Sequence, residues 1–501
     1  MTGAPGEAPE AGLRAERKPL NVGKETVKGT LWIYVSNYSG QFLVFLSTIV
    51  LARLLTQDDY GVVGYALVTT SLLNVLNDLG IGPALIYHRD EPDAPHTAFW
   101  LSLLFGVIMF GITYLIAPLV ALFFQDDRAI PVLRVMALVF PLAALENVHD
   151  NLLRKNLDFK KKFVPEFARA SSKGLSSIGM ALAGFGAWSL VYGQLIGKLF
   201  SIVSYWKVAG WRPAFRLNRR IARSLIRYGL YIVGLNALAI LLANIDYLLV
   251  GRYMGAAALG VYTLAFRIPD LLVTDFCSSL GTVLFPLYVK IRDDGEALVQ
   301  AVLSTLKYVS VITMPMGVGM LLISRAFVLT FLTDKWIEAI PVMQAISVFT
   351  LLMSFSYNTG SFYKALGKVS VMTQLTIVRL VITIPLVVYA ALVIKTVAAV
   401  GWAQAIVALF SGALNLYVVA RMTKTPFRAI LESLKPGMIA SVAMAAVVLP
   451  VNFATNSAHP AVQLVLAILL GGSVYLGVLY MMQRDLFLAA RRTLATALGG
   501  R

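Results

Sequence analysis

The sequence predicts an all-α polytopic membrane protein, and its composition, its apolar runs and its distribution of basic residues all support this fold class. Of its 501 residues, 58% are hydrophobic and 14% are charged, and the mean hydropathy is +0.75. Soluble globular domains average about 45–50% apolar and about 25% charged residues. The composition therefore excludes a soluble globular fold.

Fourteen apolar runs are long enough to cross a bilayer. A hydrocarbon core of about 30 Å needs roughly 20 helical residues. No long segment remains between the runs, so we predict fourteen transmembrane helices. These spans are residues 30–52, 61–87, 97–124, 130–152, 164–183, 187–206, 225–250, 256–288, 299–324, 337–363, 370–394, 397–420, 436–454 and 461–482.

Basic residues alternate between the predicted loops. With the N-terminus placed in the cytoplasm, the inside segments hold 29 Lys and Arg residues and the outside loops hold six. One missed or extra span would scramble this alternation, and cytoplasmic loops carry the excess of Lys and Arg. We therefore expect both termini to be cytoplasmic. The six outside residues are Arg53, Arg128, Arg252, Arg325, Lys335 and Lys395.

A shift of 199 residues brings the two halves of the chain into register. Over residues 31–72 it aligns nine identities, and it places Arg53 and Gly61 on Arg252 and Gly260. Repeats of six spans share one orientation, so we expect two parallel lobes. The predicted regions are a disordered cytoplasmic tail (1–29), an N-lobe (30–206), a basic cytoplasmic linker (207–224), a C-lobe (225–420), two additional spans (421–483) and a basic cytoplasmic tail (484–501).

Several classes of function find no support in the residues. A single cysteine, Cys277, excludes an intrachain disulfide, and the four histidines are too far apart for a local metal motif, so no metal or cofactor is expected. The Gly-Phe-Gly at residues 184–186 lacks the Gly-Lys-Ser/Thr of a phosphate-binding loop. The net charge of +17 is spread over short loops, so it indicates topology and not nucleic-acid binding.

Three segments carry a resemblance to a known family. Residues 29–31, 51–61 (LARLLTQDDYG) and 76–82 (LNDLGIG) resemble the polysaccharide-transporter branch of the MOP superfamily of flippases, and within it the Wzx-type and teichuronic-acid-type oligosaccharide exporters. Gln57 stands where this branch often has proline, in a turn. The local motif covers about fifty residues, and the two-lobe plan covers the whole chain.

The resemblance implies a membrane transporter and not an enzyme. A central cavity, open to one side at a time, would carry a polyprenyl-pyrophosphate-linked oligosaccharide to the outer leaflet of a prokaryotic cytoplasmic membrane, for cell-surface polysaccharide biosynthesis. Membrane lipids, H⁺ or Na⁺ as coupling ion and polysaccharide polymerase machinery are the implied partners. The alternatives are a multidrug or cation antiporter or a lipid II flippase of the same superfamily, or a polytopic polymerase or ligase acting on lipid-linked glycans.

Such a substrate needs buried cations for its pyrophosphate. Basic residues inside spans cost about 3 kcal/mol each at the helix centre and normally mark a pathway. Eight lie inside the predicted spans, of which Arg134 and Arg227 are near span ends. The candidate substrate contacts are Lys198, Arg267, Lys307 and Arg379 near mid-span and Arg169 and Lys173 on one helical face with Glu166. For each cation the competing interpretation is an ion pair that only holds the bundle together.

Polar and acidic residues complete the predicted site. Asn37, Asn74 and Asn236 are the candidates for hydrogen bonds to sugar hydroxyls, and interhelical hydrogen bonding is the competing interpretation. The acids that could take a coupling ion are Asp78, Glu166, Asp246, Asp270 and Asp275.

Overall fold

The computed structural model describes residues 40–78, 91–156 and 158–484, which form helices joined by short turns. No β-strand occurs in these ranges. The predicted all-α class is therefore confirmed. Asn37, the predicted tail 1–29 and residues 485–501 of the second predicted tail lie outside the described residues.

The α-helices of the described ranges are numbered here in chain order. They are α1 (Gly40–Leu54), α2 (Gln57–Asp78), α3 (Ala94–Phe124), α4 (Ala129–Met136), α5 (Val139–Lys155), α6 (Phe159–Leu182), α7 (Ala187–Val208), α8 (Arg219–Pro269), α9 (Asp275–Ile291), α10 (Gly295–Phe327), α11 (Ala339–Tyr357), α12 (Thr359–Ala365), α13 (Val369–Tyr389), α14 (Val397–Thr423), α15 (Phe427–Ala454) and α16 (Pro460–Met482). Short π-helical segments follow α8, α10 and α13, and a 3-10 turn (Asp334–Trp336) precedes α11.

Nine helical segments within the described ranges are long and apolar enough to cross a membrane. The protein is therefore a multi-pass membrane protein. The segments are Ala94–Phe124, Ala129–Lys155, Ala237–Ile291, Gly295–Leu332, Ala339–Ala365, Val369–Ile394, Val397–Thr423, Phe427–Ala454 and Pro460–Met482.

One of these segments, Ala237–Ile291, contains 55 residues and is interrupted by a glycine. At 1.5 Å per residue a straight helix of this length would extend about 80 Å, far beyond one bilayer crossing. Gly255 breaks it, with φ 83° and ψ −174°, a conformation that is essentially restricted to glycine. The break lies between the predicted spans 225–250 and 256–288.

Side-chain caps explain why α2 begins at Gln57, four residues before the predicted start. The Thr56 amide and hydroxyl donate to Asp59 Oδ2 at 2.9 and 2.7 Å, and the Asp59 amide donates to the Thr56 hydroxyl at 3.1 Å. This reciprocal capping box satisfies amides at the helix start. Asp59 Oδ1 also accepts from the Ala187 amide at 2.9 Å, so one carboxylate holds the first turns of α2 and α7 together.

The helices α2 and α8 pack closely through a pair of glycines. A Cβ atom at Gly61 would overlap the carbonyl of Ala256, and a Cβ atom at Gly260 would overlap the carbonyl of Gln57. Only glycine permits such an approach of two backbones. Gly61 and Gly260 are separated by 199 residues, as are Gln57 and Ala256.

Candidate functional site

A cavity lined by both apolar and polar side chains lies where α1, α2, α6, α7 and α8 meet. It has two adjoining compartments with volumes of about 320 and 390 Å³, and Lys173 of α6 and Arg267 of α8 line both. Gln194 of α7 also lines both compartments. We call this cavity the central chamber.

Two further chambers adjoin it. The N-side chamber, of about 690 Å³, lies between α2, α5 and α7 and shares Gln194 and Lys198 with the central chamber. The C-side chamber, of about 560 Å³, lies mainly among α8, α11, α13 and α14 and shares Arg267 with the central chamber. The three chambers therefore adjoin one another through shared lining residues and together contact both halves of the chain.

Small residues on α7 place Lys173 at this space. A Cβ atom at Gly193 would lie 3.2 Å from the Lys173 carbonyl oxygen, and one at Gly197 would lie 2.8 Å from Lys173 Cβ. Gly193 and Gly197 have the Gly-x-x-x-Gly spacing that lets membrane helices approach closely. Their close contact with α6 fixes where the lysine side chain begins.

The basic residues of the central chamber differ in their acidic partners. Arg169 forms an ion pair with Glu166, as their spacing had indicated. Arg267 lies 3.9 Å from Asp270, at the limit of an ion pair. Among the described residues, no carboxylate lies within ion-pair distance of the half-buried Lys173. The chamber therefore holds one loosely paired cation and one that is not paired.

Lys198 has a partner that its own helix could not reveal. It forms an ion pair with Glu146 of α5, and its side chain is 14% exposed and that of Glu146 7%. Glu146 is absent from the predicted site because it lies 52 residues away in sequence, outside any helical spacing rule. Lys198 also lines both the central and the N-side chamber, so the ion pair does not remove it from the chamber wall.

The C-side chamber brings together four predicted residues, Asp246, Asp270, Arg267 and Arg379. The buried Asp246 accepts from Tyr262 Oη at 2.5 Å and from Gln404 Nε2 at 2.9 Å. The Arg379 guanidinium lies 5.9 Å from the centre of the Phe349 ring. Arg379 Nε and Gln404 Oε1 are buried and have no hydrogen-bond partner among the described residues, so this chamber has polar atoms free for a ligand or water.

The remaining predicted residues fall in different places. Asn74 lines the N-side chamber and Asp275 lines the central chamber. Lys307 lies on α10, half-buried, and lines none of the three chambers defined here. The side chains of Asp78 and Asn236 lie outside the described part of the molecule. The structure thus does not bring Lys307 to the other mid-span cations.

Hydrogen bonds between the two halves join the α1–α2 connection to the segment after α10. Arg53 Nε donates to the Phe331 carbonyl at 2.8 Å, Lys335 Nζ donates to the Arg53 carbonyl at 2.6 Å, and Trp336 Nε1 donates to the Ala52 carbonyl at 2.8 Å. Trp336 is fully buried. We call these contacts the outer latch. The name follows the prediction from loop position that Arg53 and Lys335 lie outside. No spacing rule indicates that the two residues meet.

The chain is similar to curated proteins over most of its length. It is 24% identical over 462 residues to the teichuronic acid biosynthesis protein TuaB of Bacillus subtilis (strain 168), covering 91% of this chain and 95% of that protein. It is 26% identical over 468 residues to the succinoglycan biosynthesis transport protein ExoT of Rhizobium meliloti (strain 1021), covering 92% and 94%.

A solved structure shares the fold. The lipid II flippase MurJ in an inward closed conformation superposes with a TM-score of 0.75, covering 91% of this chain and 100% of that chain, at 15% sequence identity. At this level of identity the likeness concerns the fold alone.

A family model identifies the family to which the chain belongs. The model described as polysaccharide biosynthesis protein matches residues 50–341, more than half of the chain, and this stretch includes the 51–61 motif. The resemblance to polysaccharide transporters is therefore confirmed. The chain belongs to the polysaccharide biosynthesis protein family.

Proposed function

We propose that this protein is a flippase that moves polyprenyl-pyrophosphate-linked oligosaccharides from the inner to the outer leaflet of a prokaryotic cytoplasmic membrane, for cell-surface polysaccharide biosynthesis. The observation that carries the proposal is the pair Lys173 and Arg267, which face one polar chamber from the two halves of the chain. Cations inside a membrane protein normally face a watery cavity and mark a substrate path.

The pyrophosphate contacts follow from the ion pairing. Lys173 can meet a phosphate without giving up an existing partner, and Arg267 gives up only a contact of 3.9 Å to Asp270. Charge-assisted hydrogen bonds to phosphate contribute about 1.5–3 kcal/mol each. Arg169 would be recruited by breaking its pair with Glu166, and Lys198 adjoins the same chamber. Arg379 is assigned to the C-side chamber, and Lys307, which lines none of the chambers, is not assigned to the pyrophosphate.

We assign the chain two parallel six-helix lobes, residues 30–206 and 225–420, followed by two additional helices, with fourteen spans and cytoplasmic termini. The paired contacts Gly61–Ala256 and Gly260–Gln57 support this arrangement, because two lobes related by a twofold axis make each contact twice. The distribution of basic residues supports the orientation. The basic linker and both tails then lie on the cytoplasmic side.

In this orientation the outer latch seals the central chamber from the outside. Arg53, Lys335 and Trp336 all lie at the outer end of the lobes, where they tie the α1–α2 connection to the segment after α10. We therefore infer an arrangement that is closed to the outside. Alternating access requires these hydrogen bonds to break as the lobes open outward and the chamber closes on the cytoplasmic side.

Coupling to an ion gradient is assigned to the C-side chamber. Asp246 is 2% exposed and is held by Tyr262 and Gln404, which favours it over the more accessible Glu166, Asp270 and Asp275. A buried carboxylate in a membrane helix is expensive unless it has a function or a partner. H⁺ and Na⁺ are both compatible with this arrangement, and no cofactor is required.

The cavity charges favour this substrate over the alternatives. A multidrug or cation antiporter needs carboxylates where its cargo binds, whereas in the central chamber the basic residues Lys173, Arg267, Arg169 and Lys198 outnumber the acids Glu166 and Asp275. A lipid II flippase would use the same pyrophosphate chemistry, and the names of the relatives favour polysaccharide substrates. Polymerase machinery and membrane lipids remain the proposed partners.

The test is a translocation assay in proteoliposomes. A fluorescent undecaprenyl-pyrophosphate oligosaccharide is placed in one leaflet, and its arrival in the other is followed with an impermeant quencher. We expect transfer in vesicles with the protein and none in empty vesicles, and no transfer of the same glycan linked to undecaprenol without phosphate. Absence of transfer, or equal transfer of both lipids, would contradict the proposal.

A further inference from the structure

The N-side chamber has a different chemistry from the central chamber. Three helices direct carboxamide side chains into it: Asn74 from α2, Asn147 and Asn151 from α5, and Gln194 from α7. Asn147 and Asn151 are four residues apart, which places them on one face of α5. Each carboxamide can both donate and accept hydrogen bonds, as can a sugar hydroxyl.

Most of these amide groups are not used by the protein. Within the described ranges, the side chains of Asn74, Asn147 and Gln194 make no hydrogen bond to another residue. Asn151 uses only its Nδ2, which donates to the Asn147 carbonyl at 2.8 Å. Side chains that only stapled helices together would bond across the interface, so these amides are instead available to a ligand.

The charges around the chamber are compensated within the protein. Asp150 accepts from Lys162 at 2.6 Å, from Arg154 at 2.8 Å and from Tyr205 Oη at 3.0 Å. Lys198 is paired with Glu146. Each charged side chain that lines the chamber therefore has an ion-pair partner, and among the described residues the chamber holds no unpaired cation such as Lys173, which suits neutral hydroxyl groups better than a phosphate.

The position of the chamber fits a glycan attached to a pyrophosphate. It adjoins the central chamber at Gln194 and Lys198 and, at about 690 Å³, is larger than either central compartment. A sugar chain that begins at a phosphate near Lys173 can enter it directly. The C-side chamber offers fewer carboxamides, Asn244 and Gln404, and Gln404 donates to the carboxylate of Asp246 at 2.9 Å.

We propose that the N-side chamber binds the sugars of the lipid-linked substrate through Asn74, Asn147, Asn151 and Gln194, while the pyrophosphate stays in the central chamber. This rests on the proposed function and adds a location for the glycan. The oligosaccharide then enters from the cytoplasm between α2, α5 and α7, and the amides select sugars by the placement of their hydroxyls.

The test compares the affinities of the full-length protein in nanodiscs for two kinds of lipid. One probe is undecaprenyl pyrophosphate, and the others carry a mono-, di- or trisaccharide on the same lipid. Undecaprenol, which has no phosphate, is the reference. We expect a sugar-bearing probe to bind the wild type more tightly than the bare lipid. Asn74→Ala and Asn147→Ala, on two different helices, should each weaken that probe about tenfold and leave the affinity for the bare lipid unchanged.

Two further variants are matched controls. Asn156→Ala, at the exposed C-terminal end of α5, should change neither affinity. Lys173→Ala should weaken the binding of both probes by the same factor. Sugar-bearing probes that bind no more tightly than the bare lipid, or amide variants that weaken both probes equally, would overturn the glycan site. Failure of every pyrophosphate lipid to bind better than undecaprenol would instead reject the proposed function.

Discussion

Gly61 and Gly260 contact each other where α2 crosses α8, and a Cβ atom on Gly260 would lie 3.0 Å from the Gly61 amide nitrogen. The two residues occupy the same position in the two halves of the chain, 199 residues apart. A contact between equivalent residues lies on the axis that relates two repeats. In the proposed orientation this crossing lies toward the outside, so the two halves must separate there when the outer side opens.

We expect Gly260→Ala to open the outer side. The added methyl group would meet the Gln57 backbone, which cannot move aside as a side chain can, and overpacking of this kind costs about 1–3 kcal/mol. The measurement is labelling of Ser47→Cys, at the central chamber, in a Cys277→Ser background by an impermeant maleimide from outside. Labelling should rise with Gly260→Ala and stay at the parent level with Gly111→Ala, whose surroundings are open. Equal labelling of parent and Gly260→Ala would contradict this role.

Weakening the outer latch should also increase access to the chamber from outside, but to a smaller extent. Trp336→Phe keeps a buried aromatic ring at this position but removes the hydrogen bond to the Ala52 carbonyl, a loss of about 1 kcal/mol. In the same labelling assay we expect outside access to increase about fivefold. Trp402→Phe, at a half-exposed position on α14, is the control. If outside access is unchanged both in Trp336→Phe and in a separate Lys335→Met variant, the latch does not hold the closed state.

Truncation of Lys198 should destabilise the protein, whereas truncation of Lys173 should not. Lys198→Ala leaves the buried carboxylate of Glu146 without its partner, which costs about 3–5 kcal/mol. We therefore expect Lys198→Ala to lower the melting temperature and the yield, and the double variant Lys198→Met, Glu146→Leu to restore both. Lys173→Ala should leave stability near wild type. Thermal melts in detergent provide the comparison, and a stable Lys198→Ala protein would disprove a structural role for the pair.

The sequence predicted the class of the molecule better than its contacts. Composition and the apolar runs predict the helices because they depend on each segment alone, and the Glu166–Arg169 pair was accessible because helical spacing places the two side chains together. Glu146 with Lys198, and Trp336 with Ala52, join helices distant in sequence. Such contacts depend on how helices pack, which local spacing does not determine. Lys307 shows the converse, since a mid-span position does not say which way a side chain faces.

Asp246 should determine the coupling of transport to an ion gradient and not the binding of the lipid-linked substrate. Asp246→Asn retains an oxygen that can accept from Tyr262 but removes the charge that an ion would neutralise. We expect transport by this variant to become insensitive to imposed H⁺ and Na⁺ gradients, with normal protein levels. Asp293→Asn, at a residue whose side chain is 92% exposed, serves as the control. A variant that responds to the gradient as the wild type does would remove Asp246 from coupling.

The most direct measurement of the central claim is the translocation rate of the fluorescent undecaprenyl-pyrophosphate oligosaccharide by the double variant Lys173→Gln, Arg267→Gln. Two charge-assisted contacts of about 1.5–3 kcal/mol each are lost, so the rate should fall by about 100-fold or more. The control is Arg421→Gln, Lys435→Gln, which removes the same charge from two exposed positions and should transport at the wild-type rate. Equal rates for the two double variants would contradict a pyrophosphate site in the central chamber.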